Sequence, residues 1–259
     1  MNFRYFSEEI IMSNADSTAG YSRIRVWDAP LRVFHWLLVI AMAVAFLSAE
    51  EGSPINHWHM LSGWVAAILI AFRIVWGFVG GEFARFSGIF KSGGIFHHMS
   101  ELLSFKPKPS MGHNPLGWIA ALLLIAVSVG TIWTGALMVT SAGEAAEDLH
   151  EVMGWGLLAL VAIHIAAVFI MSFLTRDNLL RAMASGTKHA GRHPGARDAK
   201  KPRLYAYVIS LAVIIAAIFG ILKIDPQAFV PRSTESAEYG ENGESHELQG
   251  EEMEYDGDD

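Results

Sequence analysis

The chain has 259 residues, is 52% hydrophobic and only 17% charged, and gathers its apolar residues into runs, which makes it a membrane protein rather than a soluble one. It has no cysteine, which excludes disulfides, thiolate zinc sites, cysteine-ligated iron–sulfur clusters and a covalent c-type haem. The formal charge of −7 is unevenly spread, with a net −10 over residues 223–259 and a net +3 over residues 1–222.

Residues 1–22 are polar and mixed, without the sequence of regions that marks a secretory signal. Arg23, Arg25 and Arg32 lead into a first apolar run at about 33–47, near the short limit for a span. Its loop carries Glu50 and Glu51 and no base, and a second run at about 58–79 is broken only by Arg73. Residues 80–114 hold four Lys or Arg interleaved with Phe83, Phe86, Phe90 and Phe96, a pattern expected to lie along a membrane surface. Pro115 suits the first turn of a third span, to about 139, and a base-free loop with Glu144, Glu147 and Asp148 leads to a fourth at about 149–174. Eight Lys or Arg fill residues 176–203, and a fifth run covers 204–222.

The expected fold is all-α. A four-helix transmembrane bundle occupies residues 23–188, a basic cytoplasmic loop 189–203, a fifth helix 204–222, and an acidic tail 223–259 too poor in apolar residues to fold alone. The three basic segments belong in the cytoplasm by the positive-inside rule, which puts the N-terminus inside and the tail outside. The basic 176–203 segment reads as a topology determinant at an anionic leaflet, with no nucleic-acid role.

Depth then organises the histidines. His150 and His164 are fourteen residues apart, which on a helix is within roughly 40° of four whole turns and about 21 Å of rise. Both therefore leave one face of the fourth span, with the small residues Gly154, Gly156 and Ala159 between them. The expected orientation places His59 and His150 near the outer surface and His35 and His164 nearer the inner one. Two imidazoles at one height on facing helices are a haem-iron ligand set, and bundle cores are where such cofactors sit. A lone histidine in a span can serve simply to hydrogen-bond a neighbouring helix; four that pair by depth across three helices point to haem ligation.

His59 is preferred to His57 because Gly63 lies one turn on, and His57 is assigned to the loop. His97, His98, His113, His189, His193 and His246 fall in loops or the tail and are expected to be solvated. Arg73 lies on the His59 face of its span at the inner end, either binding a haem propionate or snorkelling to headgroups. Arg32, beside His35, has the same two readings and a weaker claim.

The stretches VWDAPLRVFHW, HMLSGW, FRIVWGFVGGEFARF, HNPLGW and DLHEVMGWGLLALVAIH resemble the bacterial cytochrome b561 family, which includes the b-type subunits of membrane-bound nickel–iron hydrogenases. The likeness covers about residues 24–188. It implies a cytochrome with two haem b groups ligated by His35, His59, His150 and His164, exchanging electrons with quinone in a bacterial inner membrane. The fifth span and acidic tail lie outside the usual four-helix pattern. The expected role is an electron carrier of a respiratory chain, linking quinone to a periplasmic partner such as a c-type cytochrome, which the acidic tail would steer inward. The alternatives are a subunit of a hydrogenase-like complex, or a quinone-linked enzyme oxidising superoxide at the outer face. The second would want a positive outer funnel, where this chain has acidic loops. A quinone site near Arg73 and the 80–114 connection is a further expectation, and an oligomer is compatible with the sequence.

Overall fold

The computed structural model describes residues 23–50, 52–91, 109–141 and 144–232. Five helices in it are long and apolar enough to cross a membrane: α1 (Ala29–Leu47), α2 (His59–Val79), α3 (Pro115–Ser141), α4 (Glu144–Thr175) and α6 (Leu204–Ile224). Alongside them lie a short α5 (Leu179–Ser185), two strands, β1 (Arg23–Arg25) and β2 (Thr187–His189), and short 3-10 turns at Asn56–Trp58, Phe86–Lys91 and Ala190–Arg192. The acidic tail beyond residue 232 lies outside the described residues.

Local chemistry sets the helix ends. Asp28 caps α1, its Oδ1 accepting from Leu31 N at 2.9 Å, and Pro30 sits in the first turn, so the helix starts ahead of the apolar run. Asn114 does the same for α3, accepting from Gly117 N at 2.6 Å just before Pro115. At the far end of α4 the chain leaves the helix through Arg176, whose φ of 52° is left-handed, and α5 closes on Gly186 at φ 79°.

The helix faces away from the bundle are apolar and exposed, as in Phe169, Ile170 and Phe173 of α4, since the solvent there is lipid. Packing concentrates in two clusters. One joins Val26, Trp27, Leu31, Phe34, Trp76 and Ala206 at the end where the basic segments gather. The other joins Trp64 of α2 to Ile221 and Ala228 at the opposite, acidic end. The fifth helix is thus a packed partner of α2, its buried Ala206 and Ser210 seated on the bundle.

Residues 225–232 fold back over the acidic end. Asp225 accepts from Trp64 Nε1 at 2.8 Å and pairs with Arg232, whose own N–H donates to the His57 carbonyl at 3.0 Å.

The basic end is tied down rather than loose. β1 and β2 pair antiparallel, Arg23 opposite His189. Arg25 meets Asp198 at 3.0 Å, and Arg197 grips Glu82 at 2.8 Å, holding the Glu82 carboxyl below its ordinary range. Lys188 and Asp177 are 2.8 Å apart with side chains 1% and 5% exposed, and His193 stands 3.2 Å from the same carboxylate. The expectation of a solvated His193 is therefore corrected: Asp177 draws it inside. Phe83 and Phe86 also turn inward rather than along a surface, Phe83 onto the Trp76 cluster and Phe86 against Gly77, where no Cβ stands in the way. Residues 92–108, with Phe96, His97 and His98, lie outside the described residues.

Burial alone would raise the Asp177 carboxyl; the hydrogen bond and charge of Lys188, then those of His193, outweigh it and hold it low. Its stabilisation is accordingly present above the ordinary carboxylate value of 3.8 and is lost as pH falls through the depressed one. Asp177→Asn at neutral pH should destabilise the fold by about 3–5 kcal/mol in thermal or denaturant melts, because Lys188 is left buried and unpaired. Adding Lys188→Met should recover most of the loss.

Candidate functional site

His59 opens α2 and His150 lies in the second turn of α4; their ring centroids are 6.0 Å apart with planes at 88°. Two imidazoles on opposite sides of one metal, each bonded at about 2 Å, have ring centres about 6 Å apart. The other nitrogen of each ring is held by a helix carbonyl. His59 Nδ1 is 2.9 Å from Ala45 O on α1, and His150 Nδ1 is 2.9 Å from Thr131 O on α3. A carbonyl only accepts, so both Nδ1 atoms carry the proton and both Nε2 atoms keep a free lone pair. That tautomer is the one a haem iron takes, and the carbonyl behind it fixes the ring and raises its basicity.

Neighbouring small residues make this arrangement reachable. The Ala45 carbonyl is among the last four of α1, which have no partner within their own helix. A Cβ at Gly135 would stand 3.0 Å from the His150 ring, so the glycine clears the approach to Thr131 one turn earlier. Thr134 Oγ1 stands 3.1 Å from His150 Nδ1 while donating its own hydrogen to the Gly130 or Thr131 carbonyl. At Gly63, Gly154 and Gly156 an added Cβ would meet nothing within 4 Å, which leaves flat room beside both helices. The donor set and the room fit a porphyrin.

His35 of α1 and His164 of α4 lie within electrostatic reach of each other, and His35 Nδ1 is sealed from solvent without a hydrogen-bond partner. Arg73 is only 4% exposed, with its guanidinium carbon 4.9 Å above the Phe86 ring, so it does not snorkel. Arg32 Nη1 donates to the Ala184 carbonyl at 2.6 Å at the end of α5, while its Nε is sealed from solvent without a hydrogen-bond partner. His57 stays in the turn ahead of α2, its ring 5.5 Å from Trp58.

His113 was expected to be solvated, and the structure corrects this. Its ring lies between Trp27 and Trp118, at 4.9 and 4.7 Å, within electrostatic reach of Arg73, His35 and His164. Burial, then the charge of Arg73, pushes the imidazole down to about 3, so it is neutral at physiological pH. The depth argument itself could have found it: a histidine two residues before the third span, at the basic end, shares the level of Arg73. His189 is exposed in β2, and His246 lies outside the described residues.

Residues 26–186, which hold all four depth-paired histidines, Arg73 and His113, match the family model described as prokaryotic cytochrome b561. The chain is 30% identical over 135 residues to the probable Ni/Fe-hydrogenase 1 B-type cytochrome subunit of Escherichia coli (strain K12), covering 42% of this chain and 57% of that one. It thus spans less than two thirds of that relative. To the probable Ni/Fe-hydrogenase B-type cytochrome subunit of Rhizobium leguminosarum bv. viciae it is 26% identical over 211 residues, covering 64% of this chain and 88% of the relative. To that of Rhodobacter capsulatus it is 24% identical over 218 residues, covering 66% and 83%. No solved structure matches the chain significantly.

Gly135→Leu should crowd the His150 ring away from His59 and lower the haem bound per purified chain, as measured by pyridine haemochrome. Gly220→Leu, where an added Cβ on α6 meets nothing within 4 Å, should leave haem content unchanged.

Proposed function

The chain belongs to the prokaryotic cytochrome b561 family, whose members are b-type haem proteins, and on that premise we propose that it carries electrons across a bacterial inner membrane through two haem b groups. One would be held by His59 and His150 and the other by His35 and His164. The observation that carries this reading is the 6.0 Å imidazole pair with both Nδ1 atoms tied to helix carbonyls.

Haem b supplies one-electron chemistry at its iron when bound. The remaining tasks fall to the chain's own residues. His59 and His150 present Nε2 from facing helices, and the Ala45 and Thr131 carbonyls keep those rings from turning. The fourteen-residue spacing on α4 sets the two sites about 21 Å apart along the helix. The exposed apolar helix faces exclude water from the path.

In this reading the basic end faces the cytoplasm, where Arg25, Arg32, Lys200 and Lys201 border a cavity of about 430 Å³, and the acidic tail faces the periplasm. Quinone exchanges electrons at one site, near Arg73 and the 80–114 connection, and a soluble redox protein at the other. The relatives' names favour a second reading for the partner, a hydrogenase-like enzyme rather than a c-type cytochrome. The acidic outer loops weigh against superoxide as substrate.

A reduced-minus-oxidised spectrum of the purified chain should show two b haems, with one lost in His150→Ala and one in His164→Ala; a colourless protein sinks the reading. Because the chain has no cysteine, single substitutions report orientation cleanly. Ser53→Cys should react with an impermeant maleimide from outside intact cells, and Ser87→Cys only after lysis. Truncation after Arg232, which spares the folded 225–232 segment, should slow electron exchange with a basic c-type cytochrome about 10-fold at low salt and flatten its salt dependence. An unchanged rate, with a hydrogenase co-purifying instead, would favour the second partner.

A further inference from the structure

Arg73 is a buried cation within a span. Its Nη1 is sealed from solvent and has no hydrogen-bond partner, and among the described residues no carboxylate pairs with it. Asp28 is the acid it feels, yet that carboxylate already accepts from Leu31 N at 2.9 Å and Trp76 Nε1 at 3.1 Å, and from the Gly81 backbone. Stacking over Phe86 offsets only part of what a guanidinium loses on leaving water.

His113 presents a second bare nitrogen to the same region. Its Nδ1 is also sealed and unpartnered, and the ring is pinned between two tryptophans, which leaves it no freedom to seek a partner elsewhere. Among the described residues it interacts electrostatically with Arg73, His35, His164 and Lys188, none of them an acid. Lys188 is already satisfied by Asp177 and the Ser110 carbonyl. The unsatisfied Arg73 N–H and His113 Nδ1 lie within electrostatic reach of each other, and His113 also of His35 and His164; with the imidazole proton on Nδ1, the two call for an anion with two acceptor oxygens.

We propose that Arg73 and His113 together bind a carboxylate, a propionate of the haem held by His35 and His164. This assigns a role to the histidine of the HNPLGW stretch and rests on the two-haem reading above. A lipid phosphate offers similar oxygens, and the experiment separates the two.

The full chain is purified with haem carrying ¹³C at its propionate carboxyls, and redox-induced infrared difference spectra are recorded. One ¹³C-shifted carboxylate band should move in Arg73→Gln and in His113→Phe, and return toward the wild-type position in His113→Gln, which keeps a donor. Only one of the two haems should fall in midpoint potential in Arg73→Gln, since loss of a nearby positive charge disfavours the reduced form. That haem should also transfer to apomyoglobin roughly 10-fold faster or more. Arg73→Lys, which keeps the charge, carries the comparison should Arg73→Gln fail to fold. Two haems with unmoved ¹³C bands in both variants overturn the assignment, as do phosphate bands moving in their place. A wild-type chain holding a single haem overturns the two-haem reading before any variant is made.

Discussion

An imidazole N–H donating to a helix carbonyl is the contact on which this protein's arrangement turns. In the interior of a bilayer a ring N–H has no water to fall back on, so the carbonyl that accepts it decides which way the ring faces. At the acidic end those carbonyls come from helices other than the histidines' own: Ala45 from α1 orients His59 of α2, and Thr131 from α3 orients His150 of α4. All four helices of the bundle therefore take part in placing one pair of imidazoles. The geometry needs α3 to approach α4 closely, and Gly130 against Met153 with Gly135 against His150 allow it.

The two ends of the bundle use charge differently. At the acidic end a single carboxylate, Asp225, gathers Trp64 and Arg232 and so lays the segment after α6 over the mouth of the bundle. At the basic end many cations converge, and three are matched by carboxylates within the chain: Lys188 by Asp177, Arg197 by Glu82, Arg25 by Asp198. Arg73 stands apart from those three because it lies within a span and, among the described residues, has no such partner. A family likeness that stops at residue 186 gives no hint that α6 is part of this scaffold, yet Ala206, Ser210 and Ile221 are buried against the helices before it.

Five spans were legible because lipid imposes long apolar runs, which need no knowledge of packing. The histidine heights were legible for a similar reason, since fourteen residues on a helix return to one face whatever surrounds them. What escaped was burial created by distant partners. His113 is enclosed by Trp27, eighty-six positions earlier, and His193 by Asp177, sixteen positions earlier, and neither closure has a local sequence signature. The strands were hidden too, because Arg-Ile-Arg and Thr-Lys-His lack the alternation that announces a sheet. Phe83 and Phe86 looked interfacial from spacing alone; the small residues that receive them, such as Gly77, lie on another element.

The pairing of Arg23 with His189 sets an order on biogenesis. These residues are separated by most of the bundle, and a ribosome adding roughly 5–20 residues per second needs on the order of ten seconds or more to make the stretch between them. Until His189 has emerged, the leading end of the first helix has no strand to fasten to and the fourth helix has barely cleared the insertion machinery. A chain stalled before residue 187 would therefore sit in the bilayer with its first four spans threaded but the β1–β2 edge unzipped.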